Sequence, residues 1–114
     1  MALTKEQILA ADDLGSLEVN IPGWGGSVFI RVMTCGERDS YENEWVANKG
    51  KGVPDFRAKF LARCLTDAKG QRLFSDAEVP QLAAKSASVL QALFVKAMAH
   101  NALSDTDVEE LAKN

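Results

Sequence analysis

The chain has 114 residues, of which 46% are hydrophobic and 25% charged, and its formal net charge at pH 7 is -3. This length fits one domain of ordinary globular composition, so a disordered or collagen-like chain is excluded. Proteins held on DNA or anionic lipid mainly by charge carry a basic excess, which this chain lacks, so neither partner is expected. Its apolar runs are too short to span a bilayer, and its N-terminus lacks the pattern of a signal peptide.

The first predicted element is a short helix over Thr4–Asp12. Thr4 and Gln7 have the spacing of a capping box, in which each side chain accepts a hydrogen bond from the other residue's backbone. Leu3 and Ile8 stand at the positions of a hydrophobic staple, and Gly15 is expected to stop the helix.

Two strands joined by a glycine-rich turn are predicted next. Apolar and polar residues alternate in Leu17–Ile21, and side chains of two faces alternate again in Ser27–Met33, as in half-buried strands. Gly23–Gly26 supplies the turn, so the two strands are expected to form a β-hairpin. Because an isolated hairpin is barely stable in water, it must pack on helices.

Helical segments are predicted for the remainder of the chain. Thr34 and Glu37 form a second capping box, which opens a helix that runs to about Asn48. The apolar stripe of this helix consists of Tyr41, Trp45 and Val46. A polar loop with two glycines follows, and Pro54 suits the first turn of the next helix. The stripe of that helix is Phe56, Phe60, Leu61, Cys64 and Leu65.

A proline divides the next helical segment. The residues Arg72–Phe74 are predicted to be extended, and Ser75 and Glu78 form a third capping box. Because the ring of Pro80 clashes with a continuous helix, a single turn over Asp76–Val79 and a restart at Pro80 are expected.

The strongest helical pattern covers Ser86–Leu103. One face of this helix is nearly apolar and consists of Leu90, Leu93, Phe94, Ala97, Met98 and Asn101. A last short helix is predicted to begin at Ser104, with Leu103 and Val108 as its staple. The predicted fold class is therefore α+β, an N-terminal β-hairpin followed by a mainly helical single domain.

The sequence offers little for metal binding or catalysis. His100 is the single histidine, and Cys35 and Cys64 have no partner at metal-ligand spacing. The glycines of the hairpin turn do not have dinucleotide-binding spacing. We therefore predict no catalytic residue, no cofactor and no metal, and expect that the protein is not an enzyme.

Trp24, at the tip of the glycine-rich turn, has two interpretations. Its ring either folds back onto the core or stays exposed as an anchor for another chain, since tryptophan is enriched at interface hot spots. The edges of the hairpin could also accept a partner strand.

An ordered set of short motifs resembles a known family. The set consists of Leu3–Asp13, the pattern Val19-x-Ile21-Pro22-x-Trp24-Gly25-Gly26-x-Val28, Arg31, Thr34 with Glu37–Asp39 and Tyr41–Glu42, Leu73–Val79 with its Glu78, and Val108–Leu111. With these motifs the chain resembles the small tail assembly chaperones of long, non-contractile-tailed bacteriophages and their prophages. It departs from the family pattern at Cys35, where the family has glycine, and at Pro80, which interrupts a segment expected to be helical.

The resemblance implies a single tail-assembly-chaperone-like domain over residues 1–114 and a role in protein binding. Such chaperones bind the long, aggregation-prone tape measure protein, keep it soluble, help to bring tail tube subunits to it, and are absent from the finished virion. Many are also made in a longer form by a programmed ribosomal frameshift. Residues that match the motif, and that are therefore candidates for partner binding, are Trp24, Gly25, Gly26, Arg31, Glu37 and Arg38.

These expectations place the protein in the host cytoplasm as a homo-oligomer, with the tape measure protein and the tail tube protein as partners. The alternative is a small structural protein of the virion, such as a head–tail connector or tail-completion component. A protein of that kind is also small, acidic and soluble.

Overall fold

Helix, β-hairpin and a mainly helical remainder follow one another along the chain, which confirms the predicted α+β class. The computed structural model describes residues 1–101. The helices are α1 (Lys5–Ala10), α2 (Cys35–Ala47), α3 (Phe56–Cys64), α4 (Val79–Ala83) and α5 (Ala87–His100). The strands are β1 (Ser16–Ile21), β2 (Gly26–Arg31) and β3 (Leu65–Thr66). The last predicted helix, from Ser104, lies outside the described residues.

Within residues 1–101 the strands form one antiparallel sheet in the order β1-β2-β3. The predicted hairpin is confirmed, and its register runs from Ser16 opposite Arg31 to Ile21 opposite Gly26. The second strand ends at Arg31, two residues earlier than predicted. The strand β3, which pairs Leu65 with Ile30, was not predicted.

The position of Leu65 shows why the third strand escaped the sequence pattern. Leu65 continues the apolar stripe of α3, and it is fully buried, so helical periodicity describes its burial equally well. Its backbone is nevertheless extended, because its neighbours lie on β2 and because the Leu73 amide donates to its carbonyl oxygen over 3.0 Å. Pairing with a distant strand thus overrides the local pattern.

The core lies where the sheet packs against α3 and α5. Every residue of the face predicted for α5, from Leu90 to Asn101, is buried. Beside it, aromatic rings pack edge to face with centroids 5.3–6.1 Å apart, an arrangement that aromatic pairs prefer. The rings belong to Tyr41, Trp45, Phe56, Phe60 and Phe94.

The three predicted capping boxes are all present, because each depends only on residues three apart. Both reciprocal bonds form in Thr4–Gln7, Thr34–Glu37 and Ser75–Glu78. The predicted break at Pro80 is also confirmed within one residue. A one-turn 3₁₀ helix over Asp76–Glu78 leads into α4, where Pro80 occupies the first turn, the position at which proline is tolerated.

The predicted first helix is too long. The helix α1 ends at Ala10, because Ala11 is already extended, so Gly15 does not stop it. The proposed staple residues, Leu3 and Ile8, are 62% and 58% exposed, and α1 contains no buried residue. Helix α1 therefore contributes no side chain to the core of the domain.

Smaller corrections concern the other helices. Val46 is exposed, so the stripe of α2 consists of Tyr41 and Trp45. Helix α3 begins at Phe56 instead of Pro54, because Asp55 is held in the left-handed region at φ 55°. Helix α5 begins at Ala87, one residue later than predicted because Ser86 is its N-cap, and it ends at His100, before the predicted end at Leu103.

Candidate partner-binding surface

The predicted partner-binding residues fall into two groups at opposite ends of β2. The first group, in the hairpin turn, is Trp24, Gly25 and Gly26, and the second, where β2 leads into α2, is Arg31, Glu37 and Arg38. The five residue-to-residue steps of β2 from Gly26 to Arg31, at about 3.3 Å each, place the groups roughly 17 Å apart. The structure therefore does not bring the six residues into one site.

The hairpin turn is shaped by its proline and glycine. Pro22–Trp24 forms one turn of 3₁₀ helix, and the amide of Gly25 donates to the carbonyl oxygen of Pro22 over 3.1 Å. Gly25 has a φ of 74°, in the left-handed region that glycine adopts most readily. The side chain of Trp24 is half-buried, so part of it packs against the core while part of it stays exposed, and neither of its two interpretations is excluded.

Arg31 and Glu37 form a largely buried ion pair. Arg31 Nη2 lies 2.8 Å from Glu37 Oε2, and the other carboxylate oxygen of Glu37 accepts from the amide of Thr34. Burial alone raises the pKa of Glu37, but the bonds from Thr34 and Arg31 outweigh it and hold the pKa below its usual value. This pair therefore ties the end of β2 to the first turn of α2.

Arg38 lies on the solvent side of this pair. Its Nε lies 2.9 Å from Glu42 Oε1, one turn along α2, and both side chains are about two-fifths exposed. Arg31 and Glu37 thus stabilise the junction between β2 and α2, whereas Arg38 is accessible to a partner. A role in partner binding for the six residues stays a prediction.

Asn101, which the sequence placed on the apolar face of α5, joins this helix to the hairpin. Its Oδ1 accepts from the amide of Met33 over 2.7 Å, and its Nδ2 donates to the carbonyl oxygen of Ala97 over 2.9 Å. Next to it, His100 Nε2 donates to the carbonyl oxygen of Gly15 over 2.7 Å. The sequence feature that could have pointed to this role is that Asn101 is a polar residue on an otherwise apolar helix face.

With the hairpin fixed in this way, a groove is left between β1 and α5. We call it the edge groove; its volume is about 240 Å³. It is lined by Val19, Asn20, Ile21, Pro22, Gly23, Ser88, Val89, Ala92, Leu93 and Lys96. The strand β1 has β2 on one side, and no other described strand pairs with its outer side. An unpaired strand edge presents backbone donors and acceptors to an incoming chain.

The edge groove suits an apolar protein segment. Val19, Ile21 and Leu93 give it an apolar floor, and Lys96 adds a positive charge. Leu17, on the same face of β1 as Val19, is 42% exposed and extends the apolar surface along the strand. Another depression, of about 560 Å³, lies beside the start of α3, but charged and small side chains line much of it.

Both cysteines lie outside the edge groove, one buried and the other exposed. Burial raises the pKa of the Cys64 thiol to about 12, so this thiol stays protonated at neutral pH. Cys35 is exposed, 3.8 Å from the carboxylate of Asp39. Within residues 1–101, no three His, Cys, Asp or Glu side chains gather in a group able to hold a metal ion. None of the described helices has the length and apolar character needed to cross a membrane.

Comparisons with known proteins reveal a likeness of fold. No protein-family model and no curated protein matches the chain. Among solved structures, that of the bacteriophage HK97 tail assembly chaperone is similar, with a TM-score of 0.61 and 18% sequence identity. The match covers 88% of this chain and 92% of that one. The chain thus shares the fold of that chaperone, which agrees with the resemblance seen in its motifs.

Proposed function

We propose that this protein is a tail assembly chaperone of a long, non-contractile-tailed bacteriophage or prophage. The observation that carries the proposal is the fold shared with the HK97 tail assembly chaperone over nearly the whole of both chains. The ordered motifs between Leu3 and Val79 independently point to the same class of protein. Sequence and fold therefore support one function.

The client in this proposal is the tape measure protein, which the chaperone keeps soluble while tail tube subunits are brought to it. The edge groove supports such a role, because an open strand edge offers backbone hydrogen bonds while an apolar groove buries side chains of the bound segment. The chaperone acts in the host cytoplasm and is released before the virion is complete.

The proposed activity is binding without catalysis. Cys64 is buried and protonated, and His100 is bonded to the backbone of Gly15, so neither is placed as a nucleophile–base pair. A protein that holds a client needs binding energy and no chemical step.

Self-association is also part of the proposal. Leu3, Ile8 and Leu9 expose apolar side chains on or beside α1, and Leu9 is 75% exposed. Exposed apolar groups of this kind favour contact with another protein surface. We expect a homo-oligomer by light scattering, and a monomer at high concentration would contradict this part of the proposal.

The function is tested by co-expression with the tape measure protein. This client is the product of the very long, helix-rich reading frame expected just downstream of the gene. The chain should raise the soluble fraction of the client. Ala92→Arg, which places a long charged side chain in the edge groove, should abolish the effect. Ala99→Arg, at an exposed position of α5 outside the groove, is the matched control. A client that stays equally insoluble with the unaltered chain would refute the proposal.

Mass spectrometry of purified particles separates this function from that of a virion component. A chaperone released during assembly is absent from particles. Stoichiometric amounts of the chain in them would instead establish the alternative, a head–tail connector or tail-completion protein.

A further inference from the structure

A second, polar cleft lies between α2, α3 and the turn before α4. Its volume is about 230 Å³, and it is lined by Glu44, Lys59, Arg63, Asp76 and Val79. Three of these four charged residues are already paired. Lys59 forms an ion pair with Glu44, and Asp76 Oδ1 lies 2.9 Å from Nη2 of Arg72. Those pairs account for the acidic side chains that line the cleft.

Arg63 is the charge that these pairs leave over. It is 9% exposed, it forms no hydrogen bond or ion pair with the described residues, and its Nη1 is buried without a partner. Its guanidinium carbon lies 5.4 Å from the centroid of the Tyr41 ring, within cation–π range. The hydrogen bond from Arg72 lowers the pKa of Asp76 and the charge of Arg63 adds to this effect, but Asp76 forms its ion pair with Arg72 and not with Arg63. A buried charge without an anionic partner is costly, and such groups are normally paired.

The cleft and the residues paired with it therefore carry one more positive charge than negative charges. Lys59, Arg63 and Arg72 supply three positive charges, against two carboxylates. We propose that Arg63 binds the carboxylate of an aspartate or glutamate side chain carried by a protein partner. The inference rests on the proposed function, since that partner is the client, but it concerns a site separate from the edge groove.

The chemistry of the cleft favours a side-chain carboxylate over a free phosphate. A guanidinium matches a carboxylate through two parallel hydrogen bonds. A phosphate would bring a second negative charge close to Glu44 and Asp76. Val79 lines the cleft, so an apolar wall is available for the methylene groups of an entering side chain. At roughly 30 Å³ per water, the volume holds a carboxylate and its stem.

The direct test uses a capped glutamate, N-acetylglutamate N-methylamide, as the probe and the capped glutamine as its uncharged control. NMR of the full-length protein should show saturable shifts of the Arg63 side-chain resonance with the glutamate probe alone. Arg63→Gln should lower the probe affinity by about 30-fold or more, because it removes one partner of a buried charge pair. Arg57→Gln, at an exposed arginine of the same helix, should leave the affinity unchanged. Equal binding of both probes, or none, would overturn the inference.

Stability distinguishes a binding arginine from a structural one. Because Arg63→Gln removes an unpaired buried charge, its urea midpoint should equal or exceed that of the parent chain. A lower midpoint, or a failure to fold, would show that Arg63 is structural and would overturn the inference. Arg63→Lys keeps the charge without the planar fork and should bind the probe with intermediate affinity.

Two further arms identify the source of the carboxylate. The acidic residues of 102–114 are Asp105, Asp107, Glu109 and Glu110. Changing these four to their amides should leave probe affinity unaltered. A marked rise would assign the cleft to the chain's own tail and overturn the assignment to a partner. With the tape measure protein, Arg63→Gln should weaken capture; undiminished capture would overturn the inference alone, whereas no capture by the parent chain would overturn the function.

Discussion

Asn101 shows how one buried amide can connect two parts of a fold. Its Oδ1 accepts a hydrogen bond from the amide of Met33, a residue that follows the end of β2. Its Nδ2 donates a hydrogen bond to the carbonyl oxygen of Ala97 in α5. Buried polar groups are retained where their hydrogen bonds are complete, and the loss of one partner leaves the other unsatisfied.

The predicted result of Asn101→Leu is a loss of stability at nearly constant volume. The amide of Met33 loses its acceptor inside the core, so the free energy of unfolding should fall by about 2 kcal/mol. Urea denaturation measures the change. Asn43→Leu, on the exposed side of α2, is the matched control and should alter it by less than about 0.5 kcal/mol. Equal effects would show that the Asn101 network contributes nothing.

The ion pair between Arg31 and Glu37 should make stability depend on pH. Because folding lowers the pKa of Glu37, the pair stabilises the fold above the unfolded value of 4.5, and this contribution is lost as pH falls through the folded value. Glu37→Gln should cost about 2 kcal/mol at pH 7. Its difference from the parent chain should shrink as pH falls below the unfolded pKa of Glu37 and through the lower folded one.

The control for this prediction is another glutamate of α2. Glu42→Gln breaks the more exposed pair with Arg38, so it should cost about 0.5 kcal/mol or less. Urea titrations at several pH values compare the two variants. If the loss of unfolding free energy caused by Glu37→Gln is independent of pH, then packing and not charge stabilises the junction between β2 and α2.

At the scale of elements, the hairpin turn depends on one glycine conformation. Gly25 has a φ of 74°, whereas Gly23 lies outside the left-handed region and a Cβ there would meet nothing within 4 Å. Gly25→Ala should therefore lower the free energy of unfolding by about 1 kcal/mol, and Gly23→Ala by less than about 0.5 kcal/mol. Equal losses in urea denaturation would contradict the assignment.

Elements that depend on neighbouring residues could be predicted from the sequence, and those that depend on distant ones could not. The capping box of Thr34 and Glu37 and the buried face of α5 were both evident from spacing. The strand at Leu65 was not, because its partner Ile30 lies far away in the chain. The edge groove and the unpaired Arg63 also arise only when separate elements meet, so no local motif reveals them.

For the whole molecule, stability should be unevenly distributed. Helix α1 has six residues and none is buried, and a helix that short is barely stable without packing. In hydrogen exchange on dilute protein, amides of α1 should exchange almost freely, while those of Phe60–Cys64 in α3 should open only with global unfolding. Protection of α1 at the lowest concentrations would contradict this view. Protection that grows with concentration would show that self-association covers its apolar side chains.

The bond between Met33 and Asn101 has a consequence for synthesis on the ribosome. The two residues lie 68 positions apart in the chain. At translation rates of about 5–20 residues per second, roughly 3 to 14 s pass between the appearance of the hairpin and that of the residue that anchors it. A hairpin forms within microseconds. Because an isolated hairpin is barely stable in water, the hairpin should open and close many times during this delay and become fixed only after Asn101 has been made.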